Sequence, residues 1–117
     1  NASDALLWCD AAIQSVDCSM ALASYLGIPT LALAMCGTQH ADTVSLAQRG
    51  ATFDLPPLDD IDSAELECAL GDFLGSPAQR AAMGTSLALL VDGKGAERLL
   101  EELRSLHTPS LHLLSAA

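Results

Sequence analysis

The sequence predicts an α/β chain with a short parallel sheet of about three strands flanked by helices. Three observations carry that expectation. Strand-like and helix-like stretches alternate through the first half, which implies right-handed βαβ crossovers and a parallel sheet. The run Thr-Leu-Ala-Leu-Ala at 30–34 is apolar on both faces, as in strands buried on both sides. Ala and Leu supply 42 of the 59 apolar residues and Val and Ile only 6, so helix dominates.

The elements follow in order. Residues 3–9 read as a short helix or turn, 11–13 as a short buried strand, and 15–19 as the loop after it. A helix over 20–26 is stopped by Gly27, with Pro29 just beyond. The strand at 30–34 leads through Cys36-Gly37-Thr38 into a helix over 39–49, with Thr38 as its N-cap and Gly50 as its terminator. Residues 51–54 are expected to form the third strand, and Pro56-Pro57 ends it.

The second half is helical. Asp62 and Glu65 have capping-box spacing, and Leu66, Ala69, Leu70, Phe73 and Leu74 then fall on one helix face. Ser76-Pro77-Ala78-Gln79 starts another helix, with an N-cap, Pro at the first position and Gln at the third; it runs to about Leu90. Asp92-Gly93-Lys94-Gly95 is a helix-to-helix turn. Ala96, Leu99, Leu100, Leu103 and Leu106 mark a last amphipathic helix, expected to end before Pro109. The division expected is a tag remnant at 1–2, where Asn-Ala stands without Met, a single domain over 3–107, and a tail over 108–117.

Composition excludes several functions. The 117 residues carry a net charge of −10, so clustered cations for nucleic acid or an anionic membrane surface are missing. With only Trp8, Tyr25, Phe53 and Phe73, there is no aromatic platform for bases. Unbroken apolar stretches are too short to span a bilayer. Cys9, Cys18, Cys36 and Cys68 have no metal-knuckle or disulfide spacing, and read as reduced thiols filling core space in a cytoplasmic protein. No metal or cofactor is implied. Gly93-Lys94-Gly95 lacks phosphate-loop spacing, His107 and His112 flank a proline, and the seven acids between Asp54 and Asp72 lack the central Gly and closing Glu of a calcium loop.

Ligands of parallel α/β sheets bind beyond the carboxyl ends of the strands. Those ends are the loops at 14–19 and 35–40, each preceding a helix N-terminus that favours anions. Ser19, Thr38, Gln39 and His40 are the polar groups converging there; ordinary helix capping would also account for Ser19 and Thr38.

At these loops the sequence resembles the C-terminal half of the GT-B nucleotide-sugar enzymes. The likeness rests on Asp10-Ala11-Ala12-Ile13, then Ala23-Ser24-Tyr25-Leu26-Gly27-Ile28-Pro29-Thr30-Leu31, then Gln39, Leu46-Ala47 and Gly50-Ala51, and finally Val91-Asp92-Gly93-Lys94-Gly95-Ala96-Glu97-Arg98. It is greatest to the UDP-sugar hydrolases of pseudaminic acid synthesis and the related UDP-N-acetylglucosamine transferases of peptidoglycan synthesis. The resemblance implies half of a Rossmann-like domain and a UDP-sugar site involving Asp17, Cys18, Ser19, Gln39 and His40. It also implies a partner N-terminal domain that carries the acid/base residue, so no catalytic residue is named here and the segment alone is expected to be inactive.

The departures are specific. Where the family has two glycines this chain has Val16 and Asp17; where it has Ser-Thr, Cys18 and Ser19; where it has the ribose-binding Glu, Leu22. Val16 blocks close approach of a diphosphate, Asp17 adds a like charge, and Leu22 accepts no hydrogen bond. Two functions are therefore expected: a degenerate UDP-sugar-binding segment of a transferase or hydrolase in polysaccharide biosynthesis, or a non-catalytic association module of the same fold. Weak UDP binding at most, and a homodimer joined across the free edge of the first strand, complete the expectations.

Overall fold

A computed structural model describes residues 1–116, with side chains over 1–107. The order is α1 (Ala2–Trp8), β1 (Ala12–Ser15), α2 (Cys18–Tyr25), β2 (Thr30–Leu33), α3 (Gly37–Gln48), α4 (Ser63–Gly75), α5 (Pro77–Ala88) and α6 (Gly95–Ala116). The class is α/β, and β1 pairs with β2 in parallel, from Ala12 opposite Thr30 to Ser15 opposite Leu33.

The sheet has two strands among the described residues, where three were expected. Residues 51–58 do run beside β2, but they make no ladder. The Thr52 hydroxyl accepts the Ala32 N–H at 2.9 Å, and the Leu58 N–H donates to the Ala34 carbonyl at 2.9 Å. A side-chain oxygen thus does the work of a strand carbonyl, and Pro56-Pro57 follows at once with no N–H to extend a ladder.

β2 is buried on both faces. Leu31 joins Leu55, Ala69, Phe73 and Met83, while Ala32 joins Met20, Ala51 and Leu87. Consecutive strand residues point to opposite faces, and Met83 and Leu87, four apart on α5, meet one cluster each. A third cluster, Leu6 with Ala23 and Ile28, seats α1 against α2. Phe53 meets Phe73 edge to face, centroids 6.2 Å apart.

Local signals set most of the helix ends. Asp62 Oδ1 accepts the Glu65 N–H at 2.7 Å, and Ser76 Oγ accepts the Gln79 N–H at 3.3 Å ahead of Pro77. Gly27 and Gly50 end α2 and α3 at φ of 67° and 70°. Asn1 caps α1 through the Asp4 N–H. Between α5 and α6, Asp92 accepts the Lys94 N–H at 3.0 Å and pairs with the Arg98 guanidinium.

Several element boundaries differ from expectation. β1 runs on to Ser15 and α2 starts at Cys18 with Asp17 as its cap, inside the stretch 15–19 expected as a loop, and α5 ends at Ala88. α3 starts earlier, with Cys36 rather than Thr38 at its cap. α6 continues through Pro109 to Ala116, where the sequence predicts a stop and a tail. An interior proline removes one backbone bond and kinks a helix without having to end it. The environment expected for His112 lies outside the described side chains; His107 is exposed. Among the described residues no helix is long and apolar enough to cross a membrane.

The packed pairs include α1 with α2, α2 with α5, α4 with α5, α3 with β2 and α5 with β2, whereas α6 is not prominent in any. The molecule measures 69 × 30 × 28 Å.

Candidate functional site

Parallel strands deliver the two candidate loops to one edge of the sheet. Ser15 and Leu33 are partners in register, so the chain leaves β1 and β2 side by side. Asp17, Cys18 and Ser19 then form the start of α2, and Gln39 and His40 lie in the first turn of α3. The five residues expected from sequence therefore stand on two neighbouring turns.

The first turn is closed on itself. Asp17 Oδ1 accepts the Ser19 N–H at 2.8 Å and lies 2.6 Å from the Ser19 hydroxyl; Oδ2 accepts the Ser15 hydroxyl at 2.6 Å. The Ser19 hydroxyl also lies 2.8 Å from Gln14 Oε1. It has one proton, which goes to the charged acceptor. These bonds, Ser15 first and then Ser19, hold the Asp17 carboxyl below its ordinary value. An anion thus already occupies the positive end of α2, and it belongs to the chain.

The neighbours that replace the family's motif are used for packing. Val16 packs against the cluster of Met20, Ala32, Ala51 and Leu87, and Leu22 against that of Leu6, Ala23 and Ile28. Cys18 is exposed at the first position of α2.

The second turn is more open. Gln39 Oε1 reaches back to accept the Met35 N–H at 2.8 Å, which spends its acceptor inside the loop. His40 is half-buried, its Nδ1 3.5 Å from the Thr43 hydroxyl, which donates instead to the His40 carbonyl at 2.8 Å. Cys36, at the cap, makes no capping hydrogen bond as a thiol. Its sulfur lies 3.0 Å from the Thr38 hydroxyl. That hydroxyl, and then the N–H groups of Gln39 and Thr38, stabilise a thiolate and lower the Cys36 pKa, against the opposing charge of Asp59.

The cysteines are unpaired, but Cys18, Cys36 and Cys68 are exposed and only Cys9 is partly buried, so they do not fill the core as the sequence suggests. An apolar neighbourhood in the chain does not bury a residue that a helix turns outward. The missed participants are Ser15, Gln14 and Cys36. The alternation Ser15-x-Asp17-x-Ser19, with short polar side chains two apart, is the signal for the first, since such groups bond the backbone locally.

An open groove of about 660 Å³ lies elsewhere, between α4 and the segment at 53–55. Asp54, Glu65 and Asp72 line it, without a cation. Among the described residues no group of three His, Cys, Asp or Glu is placed to hold a metal. Compared with known proteins, the chain matches no family profile, no curated protein and no solved structure.

Proposed function

We propose that this chain is a non-catalytic association module, similar in form to the C-terminal half of a GT-B nucleotide-sugar enzyme, in which the diphosphate place has been closed by the chain itself. One observation carries the reading: the Asp17 carboxylate takes the N–H and hydroxyl of Ser19 and the hydroxyl of Ser15 at the start of α2. In the family that the sequence resembles, this is where phosphate oxygens are bound. A phosphate arriving here meets like charge and donors already engaged. Leu22, packed toward α1, offers a ribose no acceptor. Four unpaired cysteines on separate elements suit a cytoplasmic chain.

The competing reading is a working UDP-sugar segment of a transferase or hydrolase in polysaccharide biosynthesis, supported by the order and spacing of the resembling segments. Titration calorimetry with UDP separates the two. The wild type should bind weaker than about 1 mM. The double variant Val16→Gly, Asp17→Gly, checked for folding by circular dichroism, removes bulk and charge together and should bind measurably tighter. Micromolar binding by the wild type would overturn the association reading. No binding by either protein would limit the likeness to fold.

A further inference from the structure

α6 carries an apolar face that the rest of the chain leaves open. Leu99, Leu100, Leu103 and Leu106 are 61%, 53%, 53% and 71% exposed. Ala96, Leu99, Leu103 and Leu106 follow one another at intervals of three, four and three. That is the a, d, a, d order of a heptad, which aligns one stripe along a helix for a helical partner. Leu100 and His107 then take the e positions and Glu102 a g position. The 22 residues of α6 rise about 33 Å in all, and the stripe from Ala96 to Leu106 lies wholly ahead of Pro109; in the sequence the same spacing next falls on Ser110 and Leu113. The bond from Asp92 to Arg98 fixes the start of this helix on the turn that follows α5.

We infer that α6 pairs, in parallel and in register, with α6 of a second copy of this chain. The inference deepens the association reading and rests on it. The stripe selects a second copy, because in register each a and d residue meets its own counterpart, and charge places that contact on this helix rather than on the body. The chain carries −10, but α6 holds three Glu against two Arg and no further acid or base apart from its histidines, so only −1 falls on it. Two copies therefore repel one another least where their helices meet. The facing polar groups select the direction. In a parallel pair a g residue faces the e residue five positions on in the partner, which sets Glu102 opposite the partner's His107, where an imidazole N–H can donate to the carboxylate, twice by symmetry. An antiparallel pair centred at this point of the helix would set Glu102 against its own copy. The leucine stripe supplies the buried apolar centre of the contact, with the polar residues beside it forming the rim.

Sedimentation equilibrium on the whole chain tests the seam. The wild type should be dimeric at tens of micromolar. Leu103→Glu, at the central a position, should raise the dissociation constant about 100-fold while the melting of the body stays unchanged. Ser105→Glu, on the outer face, should leave the dimer intact. Direction is read by Ala96→Cys, at the first a position and away from the middle of the helix, in a chain with the four native cysteines changed to Ser. Oxidised glutathione takes two electrons and leaves as two reduced thiols, and a 96–96 disulfide between copies should form, as parallel register alone allows. A wild type that stays monomeric, or a Leu103→Glu variant that still dimerises, overturns the inference; the second outcome would leave association standing and point to the free edge of β1. An absent cross-link overturns the parallel arrangement. Micromolar UDP binding, by contrast, would defeat the association reading whatever α6 does.

Discussion

The two turns that leave the sheet are built alike and finished differently. Asp17 caps α2 two residues past Ser15, and Cys36 caps α3 three residues past Leu33, from strand ends that are partners in register. One cap is a carboxylate with three donors around it. The other is a thiol with no capping hydrogen bond. The setting of their helices differs too: α2 is held between α1 and α5, whereas α3 packs chiefly on β2. The lesson is that a parallel βαβ frame supplies two equivalent anion-favouring positions, and the side chain at each cap decides whether the position is already filled.

The largest expected effect comes from the clamp on α2. Gly84 of α5 lies so close to Gly27 that a methyl group at position 84 would run into the Gly27 carbonyl oxygen. Backbone cannot swing away as a side-chain tip can. Gly84→Ala should therefore destabilise the fold by about 1–3 kcal/mol, the range for overpacked sites. At the start of α3 the same change meets nothing: a methyl at Gly37 has no neighbour within 4 Å. Gly37→Ala should be neutral or stabilising by up to about 1 kcal/mol, because alanine restricts the unfolded chain. Urea denaturation of both variants reads the difference. Equal effects would mean that α2 and α3 are held alike.

How much of this was legible follows from the range of each interaction. Asp62, Ser76-Pro77 and the terminators Gly27 and Gly50 act within one helical turn, and the sequence shows them directly. Whether residues 51–54 make a strand depends on Ala32, twenty residues away, whose N–H is taken by the Thr52 side chain. No local pattern reports that. At Cys36-Gly37-Thr38 two polar residues compete for one cap, and propensity favours the hydroxyl, while the backbone at Cys36 is the extended one a cap needs. Asp17 is legible as an obstacle to phosphate; that it also holds the helix end becomes visible only with Ser15 and Ser19 in place.

A middle-sized effect separates the caps themselves. Asp17→Ala removes the acceptor of the Ser19 N–H and should lower the melting temperature by roughly 4–8 °C at neutral pH. Cys36→Ala removes no capping bond and should lower it little. The Asp17 contribution depends on pH with a fixed sign. Its carboxyl ionises more readily folded than unfolded, so the stabilisation is complete above the ordinary carboxylate value of 3.8 and is lost as pH falls through the lowered one. The gap between wild type and Asp17→Ala should close in acid. Asp92, held at about 2 by Arg98, titrates in both proteins and cancels from that difference. A gap that persists unchanged in acid would assign the effect to lost packing instead of charge.

The smallest effect is chemical rather than structural, and it tests the open turn. Cys18 and Cys36 are both exposed and both begin helices at the same edge of the sheet. Only at Cys36 does a hydroxyl lie 3.0 Å from the sulfur, with the N–H groups of Gln39 and Thr38 beyond it. These donors favour the thiolate, which is the form that reacts. Iodoacetamide at neutral pH should therefore label Cys36 ahead of Cys18, by a few-fold, as read from the two peptides by mass spectrometry. Thr38→Val removes the first of the donors and keeps the shape of the side chain, so the preference should shrink. The rate at Cys18 should stay where it was, because its neighbour Asp17 already carries the charge at that helix end. Equal labelling of the two thiols in the wild type would show that the cap at α3 gains nothing from its donors, and that the two turns differ only in what Asp17 fills.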